Sequence, residues 1–437
     1  MSIRMNESWL SHLRSVKDRL RNSRAMKSRL VKGASWMMLS EFMARLSRIV
    51  TLLVFAALFT PVDYGTAMLA LVCHELIRVF SRLGIGAKVI QCSDQELDDY
   101  AGNAKTLQWI VCIGLTLLQL SISGLIAAFY DNSHLVMMLD VMAFSHLIYP
   151  LVTVRVFLLQ RLGNMRYFGI ASGISIAVDN LSAALMLILG LGLMSVAYAK
   201  ILAAAVWVIM FSFAKTQPIR ARFCQIFMPK LVSFSGRVLL SELLKVGRLH
   251  IDVLLAGRIL SPELFGLYSF AKSSGVGLSQ SISSGFITSL YPYISEAKRN
   301  SRLVDELPHV MKVVAMISGI FLLQALLAPV YINLLFAEQW QVAIPMVSIL
   351  CLSAIALLIL DVANMLLRVS NHVNWEIYQS LLCMLIMTLM IVLIQPVSAL
   401  VLASLVTFVS FLWLPVIYCI MSMHFKTGTA IAKTSVS

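Results

Sequence analysis

The chain has 437 residues, 59% of them apolar and only 13% charged, with a formal net charge of +14 and a mean hydropathy of +0.86. Globular domains carry roughly a quarter of charged residues, so these figures exclude a soluble domain and imply a chain that crosses the membrane many times. The seven Cys are scattered, with no CxxC pair and no His cluster at ligand spacing; neither a disulfide framework nor a metal site is indicated, and no cofactor is expected.

In chain order, residues 1–32 form a basic tail holding nine Lys and Arg, with Trp9, Leu13, Val16 and Leu20 on one helical face. Two readings stand: an amphipathic helix lying on an anionic leaflet, or a polybasic segment that only fixes orientation. A spanning helix needs about 20 apolar residues. Twelve such stretches follow, at 34–59, 64–90, 105–130, 135–159, 167–190, 193–214, 231–259, 264–291, 309–335, 341–367, 375–395 and 397–422. The predicted fold is therefore all-α and polytopic. Its units are the tail 1–32, an N-lobe 33–214 of spans 1–6, a linker 215–230, a C-lobe 231–423 of spans 7–12, and a second tail 424–437.

Sorting cations by the loops between spans places 25 of the 35 Lys and Arg on one side, which the positive-inside rule makes cytoplasmic together with both termini. The basic net charge thus reads as topology, and nucleic acid is not expected as a partner.

The two halves repeat one another at a constant offset of 201 residues. Leu39-Ser40-Glu41 through Pro61 and Gly65 to Gly84 lies without a gap over Leu240-Ser241-Glu242 through Pro262 and Gly266 to Gly285. Six spans separate the copies, so both enter the membrane in the same direction, as expected of two stacked six-helix bundles with a path between them.

The spans that begin each repeat also carry the charge. Glu41, Arg45 and Arg48 share a face of span 1, Glu75, Arg78 and Arg82 a face of span 2, and Glu242, Lys245, Arg248 and Asp252 form a stripe on span 7, with Lys272 in span 8. A charge at the bilayer centre costs about 2.5–3.5 kcal/mol on insertion scales. A water-filled, net-positive cleft between the bundles explains their presence, and the surplus of cations suits an anionic, phosphate-bearing substrate. Against this stands a bland alternative, in which Glu41/Arg45, Glu75/Arg78 and Glu242/Lys245 are intrahelical pairs and Arg82 snorkels to the surface.

Asp140, Asp179 and Asp361 stand alone in spans 4, 5 and 10, and are read as packing acids or ion-coupling sites. Gly84-Ile-Gly86 and Gly275-Val-Gly277 lack a strand–loop–helix context and read as helix packing or a flexible gate. Pro150 falls near the middle of span 4, and Pro292 near the end of span 8 reads as a static kink in preference to a gate hinge.

Gly33-Ala34-Ser35-Trp36, the run Leu58 to Gly65, the run Leu83 to Gln91, the run Leu260 to Ala271 and Tyr291-Pro292 together resemble the bacterial Wzx-like polysaccharide flippases of the multidrug/oligosaccharidyl-lipid/polysaccharide exporter superfamily. The resemblance implies two six-helix bundles in a V and a cleft lined by helices 1, 2, 7 and 8. It also implies movement of undecaprenyl-pyrophosphate-linked oligosaccharide between leaflets of the inner membrane. Arg45, Arg48, Arg78, Arg82, Lys245, Arg248 and Lys272 are then the expected headgroup-binding residues, and Glu41, Glu75, Glu242 and Asp252 the candidates for ion coupling. Lys245 and Arg248 fall one register away from Arg45 and Arg48, about 100° around the helix, so the two walls are not expected to bind symmetrically. The expected partners are the lipid-linked substrate, the membrane, and a glycan polymerase and chain-length regulator. No covalent chemistry is called for, so an enzyme is not expected. The competing readings are a multidrug cation antiporter of the same superfamily and a membrane glycan polymerase or ligase.

Overall fold

The structure is a computed structural model in which residues 40, 42–81, 84–299, 302–370 and 372–434 are described. Among them there is no strand. The helices run α1 (42–58), α2 (Pro61–Val79), α3 (Ile85–Gln91), α4 (Leu97–Phe129), α5 (His134–Ala143), α6 (Ser145–Ile148), α7 (Thr153–Arg161), α8 (Met165–Ile188) and α9 (Met194–Ser212) in the first half. The second half holds α10 (Phe227–Ile259), α11 (Pro262–Lys272), α12 (Leu278–Arg299), α13 (Leu303–Leu335), α14 (Ile344–Val369), α15 (Val373–Ile394) and α16 (Ala399–Thr434).

Among the described residues, eight helical segments are long and apolar enough to cross a membrane. They correspond to spans 3–6 and 9–12 of the sequence reading. The other four expected spans are α1, α2 with α3, α10, and α11 with α12, the stretches that carry the predicted charge stripes and Lys272.

The repeated motif is a helix-capping device. Thr60 accepts a hydrogen bond from the Asp63 N–H at 3.2 Å and Ser261 one from the Leu264 N–H at 3.4 Å, each with proline at the first helical position. Proline at that point loses no needed donor, so both α2 and α11 start sharply.

Several rods are jointed where the sequence reading had them continuous. Span 4 is interrupted by a 3-10 turn at Tyr149–Leu151, where Pro150 has no N–H to continue the ladder. Span 2 breaks between Val79 and Ile85. Span 8 stays a rod but widens into a π turn over Ser273–Gly277, which contains Gly275 and Gly277. The spare carbonyls of a wide turn need donors, and Gln324 of α13 supplies them, donating to Ser274 O at 3.1 Å and Gly275 O at 3.3 Å. Pro292 stands inside the unbroken α12.

Contacts fall largely within halves. In the first, α8 packs on α9 and α4 on α5, with α5 also against α2 and α9; in the second, α14 packs on α13 and α16, α10 on α15, and α12 on α13 and α14. The halves meet chiefly where α2 lies along α11 and α10. Helix α10 begins at Phe227, within the stretch read as linker, because Leu231 is buried and Phe227 part-buried against Ile85, Val89 and Tyr100 of the first half. The preceding segment is clasped there too. Lys105 donates to Ile219 O at 3.0 Å, Thr106 to Arg222 O at 2.7 Å, and Arg222 pairs with Asp99 at 3.2 Å.

Candidate functional site

The end of the molecule bearing Pro61 and Pro262 is closed by direct contact between the halves. A Cβ built on Gly266 would lie 1.7 Å from the Pro61 carbonyl oxygen, and one on Gly65 would lie 3.1 Å from the Gly266 Cα. Only glycine allows this approach. Tyr64 packs edge-on against Phe270 and Trp340, which stack on each other at 4.3 Å. The Trp340 indole donates to Ala56 O at 2.7 Å, Tyr130 donates to Leu254 O at 3.1 Å, and Arg258 pairs with Asp131 at 2.9 Å. This proline end is a continuous apolar seal laced with hydrogen bonds.

At the opposite end the cations are concentrated, and Arg161 caps α3. Its Nη1 donates to the carbonyls of Val89, Ile90 and Cys92 at 2.7–3.0 Å while Nη2 meets Asp94. The Asp94 carboxylate holds this guanidinium above its ordinary pKa. A cation at a helix C-terminus also answers the helix dipole.

Between the two ends lie the predicted charges. On α1, Arg45 is half-buried and reaches across to α12, its Nη2 resting over Gly285, while Arg48 is exposed. Glu41 and Arg82 lie outside the described residues. On α2, Arg78 pairs with Glu75 at 3.2 Å, donates to the Tyr149 hydroxyl at 3.3 Å and sits 5.6 Å from that ring's centroid. Lys245 is exposed and Glu242 half-buried on α10.

The remaining charges of the stripe turn into the second half. Arg248 bonds Asp361 at 3.0 Å, and Lys272 bonds Asp252 through both carboxylate oxygens, the longer contact 2.7 Å, and also donates to Leu249 O at 2.7 Å. Tyr268 donates to the same Asp252 carboxylate. Arg248, Asp252, Lys272 and Asp361 line a partly open chamber of about 60 Å³ between α10, α11, α12, α14, α15 and α16, with Gln280, Ser283, Ser353 and Ser410 in its wall. The volume has room for about four waters. Arg248 and Lys272 therefore face carboxylates inside the second half, and Asp361 is an ion-pair acceptor where the sequence had it alone. Asp179 is likewise paired, with Lys200 at 2.6 Å, a lysine that the sequence reading did not weigh; Asp140 is half-buried on α5.

A second group was missed altogether. His74 Nδ1 and His146 Nε2 stand 3.2 and 3.0 Å from Gln119 Oε1, with their rings stacked at 4.9 Å and 19°. Gln119 Nε2 donates to Leu139 O at 2.6 Å, which fixes the amide and makes Oε1 the shared acceptor of two imidazole N–H groups. On α10, His250 is half-buried. Each of these histidines sits singly in an apolar run, and no spacing links them. Among the described residues no three His, Cys, Asp or Glu converge as metal ligands.

A chain of jointed helical rods in two repeating halves, sealed at one end and charged along the seam, has the fold of the transporters of the multidrug/oligosaccharidyl-lipid/polysaccharide superfamily. A multidrug-resistance transporter of the MATE family in an inward-facing conformation matches with a TM-score of 0.66 at 14% identity, covering 91% of this chain and 95% of that one. The lipid II flippase MurJ in an inward closed conformation matches at 0.69 and 11% identity, covering 86% and 85%. A transporter of the superfamily from Pyrococcus furiosus, described as having a binding pocket of reverse polarity, matches at 0.63 and 16% identity, covering 89% and 94%. No curated protein sequence matches. Residues 54–345 match the family described as polysaccharide biosynthesis protein, and the chain belongs to that family.

Proposed function

We propose that the chain is a flippase that carries undecaprenyl-pyrophosphate-linked oligosaccharide, a repeat unit of a surface or secreted polysaccharide, from the cytoplasmic to the periplasmic leaflet of the bacterial inner membrane. The carrying observation is that the helices opening each repeat combine dense cations with the seam between halves, in a chain of the polysaccharide-biosynthesis family. A pyrophosphate is the substrate group that such cations answer.

Both termini and the basic end are cytoplasmic in this reading, which makes the glycine-welded proline end the periplasmic gate, here shut. The lobes 33–214 and 231–423 rock about that seam, with the linker 215–230 clasped to the first. Arg45, Arg48 and Arg78, with Arg82 and Lys245, receive the pyrophosphate and neighbouring acidic sugars. Arg248 and Lys272 act from behind, each with its carboxylate. Opening the proline end re-exposes the headgroup on the other side while the lipid tail stays in the bilayer. No bond is made or broken. A glycan polymerase and a chain-length regulator are the expected downstream partners.

The cation-antiporter reading draws on the MATE-family fold and on Asp252, Asp361 and Glu75 in the interior. Purified protein in vesicles separates the two. Transfer of a fluorescent pyrophosphate-linked oligosaccharide between leaflets, strongly slowed in R78A, is the expected result; a protein that leaves this lipid in place and expels a cationic dye is an antiporter.

A further inference from the structure

Arg45 of α1 reaches the opposite half at Gly285 of α12. A Cβ built on Gly285 would lie 2.4 Å from Arg45 Nη2 and 3.5 Å from Cζ, so the guanidinium occupies the space that any side chain at 285 would fill. Gly285 lies on α12 away from the apolar face formed by Ile282, Phe286, Leu290 and Ile294, which packs on α13 and α14. Ser284 and Ser289, its neighbours on the other side, are exposed. The residue is therefore not needed as a spacer within the second half.

Its role differs from that of Gly266. There the opposing atom is backbone, the Pro61 carbonyl, which has no freedom to yield. At Gly285 the opposing atom is the tip of a long side chain, which yields by swinging away. Glycine within a helix costs about 1 kcal/mol relative to alanine, so helix propensity alone does not favour it here.

We propose that Gly285 is a positioning residue for Arg45: by having no side chain it lets the guanidinium cross from α1 and hold its charge at the seam, where it meets the diphosphate of the substrate. The inference rests on the flippase reading, since it gives Arg45 a ligand, and adds a determinant of headgroup affinity that contributes no polar atom of its own. A methyl group at 285 displaces the cation without removing it.

The test is a mutant cycle with farnesyl pyrophosphate as probe, its binding measured to full-length protein in lipid nanodiscs. R45A and G285A each weaken binding about tenfold, equivalent to about 1.4 kcal/mol. In an R45A background G285A adds less than about twofold, and in R45K, whose ammonium is more compact than the planar fork, it also costs less than in the parent. G319A, at a helical glycine with nothing within 4 Å of its Cβ, leaves affinity unchanged. An equal loss from G285A with and without Arg45 overturns the positioning role. R45A binding the probe as the parent does overturns the assignment of Arg45 to the headgroup, and the inference falls with it. Should G285A fail to fold, R45A/G285A must fold, because the obstacle is gone; failure of both also overturns the proposal.

Discussion

Arg78 is held from two sides, because Glu75 fixes its position along α2 while Tyr149 of the 3-10 turn fixes the plane of the guanidinium. A bidentate donor held in this way discriminates between arginine and lysine. R78A and R78K are both expected to reduce leaflet transfer about hundredfold, and Y149F, which removes one hydrogen bond, about three- to tenfold. Transfer rates in vesicles at equal reconstituted protein provide the measurement. The Asp252–Lys272 pair behaves differently. Removing one member leaves an uncompensated charge in the second half at a cost of about 3–5 kcal/mol, whereas removing both restores neutrality. D252N and K272M are expected to yield little folded protein, with D252N/K272M recovering the parental thermal midpoint. A double mutant that folds and transfers lipid normally makes the pair architectural; one that folds but does not transfer gives Lys272 a place at the headgroup.

Helices explain why some of this was legible and some was not. The Pro and Gly of the repeat could be matched by eye because capping and close approach both demand one residue type at one point: Thr60-Pro61 and Ser261-Pro262 start helices, and Gly65 and Gly266 let those helices touch. The charge stripes were equally visible, since periodicity places Glu75 and Arg78 on one face regardless of what they meet. What they meet was not. Asp361 lies 113 residues from Arg248 and Asp179 lies 21 from Lys200, and no local pattern carries a pairing made by packing. The shared acceptor Gln119 was hidden for the same reason, whereas the joint at Pro150 has a local cause, the missing N–H of a proline that the sequence places near the middle of span 4. At this scale G266A should force the proline ends apart, because its methyl meets a carbonyl. The expected outcome is faster labelling of A67C, a buried site on α2, by a membrane-impermeant maleimide in a background without native cysteines. Likewise R161A frees three carbonyls at the end of α3 and should lower the thermal midpoint by several degrees, with little effect on probe affinity.

Across the whole molecule the two ends are built for opposite tasks. The proline end joins the halves through aromatic stacking, backbone contact and a buried indole hydrogen bond, all of which must separate together. The basic end joins them through the start of α10 and the clasped segment before it. Hydrogen exchange should therefore be slowest in the starts of α2 and α11 and faster in α3 and the end of α12, with farnesyl pyrophosphate slowing exchange in α1 and α2. Uniform exchange along α2 and α11, unaltered by the lipid, contradicts this division of labour.

The same number of residues separates Pro61 from Gly84 as separates Pro262 from Gly285, yet one half spends them on a break and the other on a wide turn that keeps the rod whole. Mechanically this makes one limb an elbow and the other a crowbar. A push on the far end of α12 runs along one rod to the weld at the proline end, whereas a push on α3 meets a joint, so in the proposed cycle the stroke that opens that end comes from the second half while the first serves as its anvil.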